Sequence, residues 1–258
     1  MKQPIVFKLG GEALLSETAI AQFLTQIKQI QQQRPVVIVH GGGPQVELMM
    51  TQCQLTTTKV EGVRATPTED LPFVIGALAG IASQQLLVQA RRQNINTIAL
   101  SLADSFSFSS SPKDQKLGAV GNVEAQEPST LKLLLETGHL VLLNSIGCSD
   151  DGQSLNINAD DAAVATAALL EAELCLLSNV PGVLDANKQL INTLNDNDIQ
   201  SYIQQGVITD GMVVKVKAAH QAADFLRRPV SIGSWQDTDA LAQLANTGSL
   251  NLGTQIIA

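Results

Sequence analysis

Lysine and glycine recur in this chain at places where an apolar run gives way to a turn. Val6-Phe7-Lys8-Leu9 leads into Gly10-Gly11, and Val36-Val37-Ile38-Val39-His40 leads into Gly41-Gly42-Gly43. A basic pair, Lys215 and Lys217, follows Thr209-Asp210-Gly211 far downstream. Glycines at strand-to-helix turns let backbone N–H groups approach an anion closely, and the N-terminus of the following helix adds a favourable dipole. Lysines supply the point charges that phosphate oxygens need. The combination points to phosphoryl transfer. Neither GxxxxGK[ST] nor GxGxxG is present, so the glycines belong to neither of those phosphate-binding loops.

Each candidate also has a plainer structural explanation. Lys8 alone fits a lysine that snorkels from a strand end, but the glycine pair behind it leaves room for a phosphate. His40 fits a hydrogen-bonded core histidine, while Gly42 and Gly43 can donate N–H groups at a strand end, where ligands bind in open parallel sheets. Arg64, in Glu61-Gly62-Val63-Arg64-Ala65-Thr66-Pro67, becomes a carboxylate clamp if its turn folds over the glycines, and is otherwise solvated. In Asn156-Ile157-Asn158-Ala159-Asp160-Asp161, helix capping competes with ligand binding. Asn158 fits a cap, Asn156 can reach a carboxylate or carbonyl, and Asp160 can hold ammonium groups. Lys215 and Lys217 stand about 200° apart on a helix, so only one can face a shared site, and spacing does not say which.

The elements that must position these residues alternate along the chain. Runs at 4–9, 35–40, 95–102, 139–146, 173–180, 229–234 and 254–258, most of them continuously apolar rather than alternating, read as strands of a parallel sheet covered on both faces. Helices are expected at 16–33, 68–92, 129–137, 159–170, 196–205, 211–227 and 238–246, with Ser16 as an N-cap and Gly138 and Gly206 as C-terminal caps. The Ser-rich stretch 103–127 reads as a loop plus a small hairpin standing off the sheet. The fold class is therefore α/β, a three-layer αβα sandwich with a largely parallel open sheet and a weak lobe division near residue 170.

Composition narrows the function. The chain has 258 residues, 45% of them hydrophobic and 3% aromatic, so its core must be built from Ala, Val, Leu and Ile. A formal charge of −8 argues against a nucleic-acid partner. Cys53, Cys148 and Cys175 lack disulfide or zinc spacing, and no stretch reads as a signal peptide or a membrane span. A cytoplasmic protein with reduced thiols is expected.

Taken in order, KLGG, HGGG, GVRATP, NINADDAA, SNVPGVL and ITDGM-VVKVKAA resemble the N-acetylglutamate kinases of the amino-acid kinase superfamily, from Lys8 to Ile256. That resemblance implies phosphorylation of the γ-carboxylate of N-acetyl-L-glutamate by ATP with Mg2+, the second step of arginine biosynthesis. It assigns Lys8 and Lys215 to the transferring phosphoryl group and Asp160 to organising them. Gly42, Gly43, Arg64 and Asn156 would hold acetylglutamate. Gly10 and Gly11, the run Asn179, Val180, Pro181, Gly182, Val183 and Leu184, and Val207, Ile208 and Thr209 would serve the nucleotide, with no protein-held metal. Residues 1–170 would form the acetylglutamate-binding and dimerisation lobe and 171–258 the nucleotide lobe of a homodimer without arginine inhibition. Asn179 departs from the pattern, standing where relatives commonly carry Asp. The alternatives are a kinase for glutamate, aspartate, carbamate or UMP, or a catalytically idle ligand-binding member.

Overall fold

The computed structural model describes every residue except Met1, Glu61 and Gly62, and leaves the side chains of Val63 and Asp210 undescribed. The first half of the Glu61-Gly62-Val63-Arg64 run therefore lies outside the described residues.

An eight-stranded sheet forms the middle layer, in the order Thr193–Leu194, Thr254–Ile256, Val230–Ser234, Glu173–Ser178, Ile5–Leu9, Val36–His40, Leu140–Asn144 and Thr97–Ser101. All neighbours are parallel except Val230–Ser234 and Thr254–Ile256. The seven strands expected from sequence are all present. The two-residue strand Thr193–Leu194 was too short to show a pattern.

Period-two alternation decides which side chain meets which helix layer. Ile5, Phe7 and Leu9 pack with Ile20, Phe23, Leu24, Ile27 and Ile30 of helix Glu17–Gln31, and Phe7 meets Phe23 edge-on at 6.1 Å. Val6 points the other way, into the layer formed by helices Ser129–Glu136, Ala159–Leu170 and Asp210–Leu226. Lys8 shares the parity of Val6, so it emerges on the side of helix Ala159–Leu170. The caps behave as their chemistry requires. Ser16 accepts from the Ala19 N–H, and Gly138 and Gly206 take left-handed φ values of 79° and 70°.

Helix Leu71–Arg92 is long and apolar enough to cross a bilayer by length and composition. Here its Leu78, Ala82, Leu86 and Ala90 are buried within the protein. Its middle turns, Gly76–Ala82, are π-helical, a device found often beside functional sites.

The expected strand 139–146 divides. Asn144 ends the main sheet by giving its side-chain amide to Leu100 O and Ser101 Oγ and accepting from the Ile146 N–H. The chain then enters a second, four-stranded sheet ordered Phe108–Pro112, Val120–Ala125, Ser154–Ile157 and Ile146–Cys148. The expected small hairpin is thus half of a larger structure, and Asn156 lies on a strand rather than in the approach to a helix. A ribbon of Thr58–Val60 and Val63–Ala65 places Arg64 on a strand too, not in a plain turn.

Candidate active site

Register brings the strand ends level. Leu9 pairs with His40 and with Leu177, so Gly10 and Gly41 leave the sheet side by side, level with Ser178 at the end of its strand. The two glycine turns touch. A Cβ on Gly11 would sit 2.8 Å from Gly42 Cα and 2.9 Å from Gly43 N, and a Cβ on Gly42 would sit 2.7 Å from Leu78 Cδ2. Only glycine permits that approach. Gly10 and Gly43, by contrast, have nothing within 4 Å of a Cβ position, so these two backbones border open space.

Two cavities meet over these turns. The larger, about 350 Å³, is bordered by Lys8, Gly10, Gly11, Gly43, Asp160, Asn179 and Lys215. The smaller, about 200 Å³, is bordered by Lys8, Gly42, Gly43, Arg64, Asn156 and Asp160. Lys8, Gly43 and Asp160 belong to both. Lysines at positions 8 and 215 therefore open onto one crevice although most of the chain separates them. The helix that carries Lys215 buries Val216 and turns Lys217 to solvent, which resolves the choice that spacing left open.

Lys8 Nζ pairs with Asp160 Oδ1 at 2.9 Å. Asp160 stands in the first turn of helix Ala159–Leu170, where the helix dipole favours a carboxylate. Asn158 caps that helix by accepting from the Asp160 N–H, so the cap reading of Asn158 stands. Arg64 Nη2 pairs with Glu47 Oε1 at 2.7 Å, while Arg64 Nη1 is buried without a partner among the described residues. Asn156 Nδ2 donates to Thr66 Oγ1 at 2.9 Å. Thr66 is itself fixed by backbone hydrogen bonds to Leu117 and Ala119.

His40 is a core residue. It shares the parity of Ile38 and points to helix Leu71–Arg92, where Nε2 lies 3.1 Å from Ser83 Oγ, and Nδ1 lies 3.0 Å from Gly41 O. A carbonyl can only accept, so we assign the proton to Nδ1, leaving Nε2 to accept from Ser83. Burial pulls this imidazole from 6.5 down to about 4, and the Gly41 hydrogen bond offsets part of that fall. The Ser83 hydroxyl also receives the Asn144 amide at 3.3 Å, which locks the second glycine turn to the π-helical helix.

Of the expected nucleotide residues, Gly10, Gly11 and Asn179 border the larger cavity. Val180, Pro181, Gly182, Val183 and Leu184 continue from that strand end, and Val183 accompanies Ile208 in the core at 1% and 2% exposure. Val207 is half-buried and Thr209 exposed, at the approach to the helix that carries Lys215. Sequence reasoning missed Glu12, Ser178 and Trp235 in the larger cavity and Ser145 in the smaller. Trp235 directly follows the strand Val230–Ser234, so the strand-end rule that picked out Gly41 would have found it.

The chain matches the amino acid kinase family over residues 3–234. It is 46% identical over 257 residues to the acetylglutamate kinase of Serratia proteamaculans, covering 99% of each chain. It is 43% identical over 258 residues to that of Proteus mirabilis, covering 99% of this chain and 100% of the other. Among solved structures, smu.665 from Streptococcus mutans UA159 superposes with a TM-score of 0.81 at 32% identity, with both chains covered completely. The carbamate kinase of Giardia lamblia bound to AMP-PNP has a TM-score of 0.66 at 20% identity, covering 99% of this chain and 98% of the other, and shares the fold. On the strength of its matched span and of these relatives, the chain belongs to the amino acid kinase family.

Proposed function

We infer that the chain transfers the γ-phosphoryl group of ATP to the side-chain carboxylate of N-acetyl-L-glutamate, giving ADP and N-acetyl-L-glutamyl 5-phosphate in the second step of arginine biosynthesis. The observation that carries this reading is the meeting of two cavities at Lys8, Gly43 and Asp160. One cavity suits a polyphosphate and the other a small acid.

An attacking carboxylate is already ionised near neutral pH, so the reaction needs no general base. Its difficulty is to align two anions and to neutralise charge on the transferring group. Lys8 and Lys215 supply the positive charge, and Asp160 sets the position of Lys8 through their ion pair. The open backbones of Gly10 and Gly43 add N–H donors. Arg64 and Asn156 orient the acid in the smaller cavity, whose apolar wall of Val74, Leu78 and Ile157 suits an acyl group. Asn179, Val180, Pro181, Gly182 and Leu184, from the strand end beyond Ser178, and Val207 and Thr209, before helix Asp210–Leu226, would serve the nucleotide, while Val183 and Ile208 of the same runs belong to the core.

Mg2+ would enter on the β- and γ-phosphates and neutralise polyphosphate charge. Among the described residues no three His, Cys, Asp or Glu side chains are grouped to hold a cation. Residues 1–170 would then bind the acid and 171–258 the nucleotide. A homodimer working in the cytoplasm completes the reading, with the small residues of helix Leu71–Arg92 at its interface.

A coupled ADP-release assay tests the reaction. Release should depend on N-acetyl-L-glutamate and stay at background with glutamate, aspartate, carbamate or UMP. Turnover with one of those acceptors, or none with acetylglutamate, overturns the assignment.

A further inference from the structure

Arg64 sits on a poor foundation. Its ribbon has two strands of three residues, and Thr58, Lys59 and Val60 are all exposed. Isolated two-stranded ribbons are marginal in water. The register also sets Lys59 directly opposite Arg64, and like charges facing across a ribbon destabilise it. A side chain held only by this ribbon would not keep one orientation toward the smaller cavity.

Glu47 supplies what the ribbon lacks. It lies in helix Gly43–Gln52, one turn beyond the glycines that floor the site. One carboxylate oxygen accepts from Arg64 Nη2 at 2.7 Å and the other from Thr57 Oγ1 at 2.7 Å. The carboxylate therefore ties the foot of one ribbon strand and the middle of the other to the helix that opens the site. The Glu47 carboxyl is held below its usual range, first by the Thr57 hydroxyl and then by Arg64 and Lys59. With Nη2 occupied, Nη1 is buried and has no hydrogen-bond partner among the described residues. The fork is thus not free for a two-pronged grip, as the sequence suggested, but is already turned and half engaged.

We propose that Glu47 is a positioning residue for acid-substrate binding, fixing the Arg64 guanidinium so that its remaining donors face the smaller cavity. This rests on the reading of that cavity as the acetylglutamate site. Glu47 itself touches no reacting atom, so its removal acts on substrate binding and leaves the phosphoryl-transfer step alone.

The test is steady-state kinetics of ADP release with Glu47→Gln, Thr57→Val, Arg64→Ala and the double variant Glu47→Gln/Arg64→Ala. Glu47→Gln should raise KM for acetylglutamate roughly tenfold, the loss expected for one hydrogen bond to a charged group. Both kcat and KM for ATP should stay within about twofold. Thr57→Val keeps the carboxylate and should shift the same KM in the same direction by less. In the Arg64→Ala background, Glu47→Gln should add no further rise, because nothing is left to position. An unchanged acetylglutamate KM in Glu47→Gln, an equal rise in KM for ATP, or a full rise in the Arg64→Ala background would each overturn the proposal. If Glu47→Gln does not fold, as judged by its thermal transition, Thr57→Val decides alone. Wild-type chain that does not turn over acetylglutamate at all would instead remove the functional reading beneath it.

Discussion

The strand ends of the eight-stranded sheet and the smaller pieces beside them supply opposite halves of the site and are built by different means. Lys8 and His40 stand on strands buried on both faces, where register and alternation fix their directions, and the glycine turns follow directly from those strands. Arg64 and Asn156 come from a two-stranded ribbon and from the four-stranded sheet. Their directions rest on side-chain contacts, Glu47 for Arg64 and Thr66 for Asn156. On the proposed reading, the strand-borne part of the phosphoryl-transfer half, Lys8 and the glycine turns, is held by backbone ladders, and the half assigned to the acid is held by single polar contacts that substitution can retune.

Loss of charge at Lys8, on a strand, or at Lys215, on the helix across the larger cavity, should have the largest effect. Lys8→Ala or Lys215→Ala is expected to lower kcat by about a hundredfold or more, as removal of transition-state charge stabilisation does. Unchanged kcat in both variants would dissolve the distinction between the halves. Acid should also reach the sheet first. The unfolded chain protonates His40 below 6.5, whereas the native chain refuses that proton down to about 4. Stability from this group is complete above the upper value and falls with pH across the window, by roughly 3 kcal/mol at its end. The Glu47 carboxyl is lowered too, but by the Thr57 hydroxyl and then Arg64 rather than by burial, and its contribution persists until pH drops below the ordinary carboxylate value. Urea midpoints that stay flat from pH 7 to 5 would contradict the order.

A backbone strain test comes next. Gly118 has φ +70° and supports Thr66, and a Cβ there would run into the Thr66 carbonyl. Gly118→Ala should cost at least about 1–2 kcal/mol in stability, from the left-handed conformation alone, and should raise KM for acetylglutamate while sparing KM for ATP. Equal shifts in both would show that the halves are coupled. Smallest is Arg64→Lys, expected to raise the acetylglutamate KM about tenfold, because an ammonium cannot serve Glu47 and a substrate carboxylate in the same plane. A shift confined to ATP would place Arg64 on the wrong side of the comparison.

The same contrast explains what the sequence made legible. Strands such as Val36–His40 are buried at every position and apolar at all but the last because both faces are covered, so their ends, with Lys8 and the glycine runs, stand out. Helices were found by spacing and caps, as at Ser16 and Gly138. Thr58–Val60 is exposed throughout and offers no apolar pattern to read. Leu140–Asn144 and Ile146–Cys148 form one apolar run whose division depends on where the Asn144 amide finds partners from Leu100 and Ser101. Glu47 gave no local sign at all, since its partners Thr57 and Arg64 meet it only after the ribbon has folded back.

Trp235, the chain's single tryptophan, borders the larger cavity and is 5% exposed. Indole emission from the wild-type protein therefore arises from one wall of that crevice, free of background from other tryptophans. The fold carries its own optical probe, so if the larger cavity takes the nucleotide as proposed, its occupancy should be readable from indole emission without a label and apart from turnover.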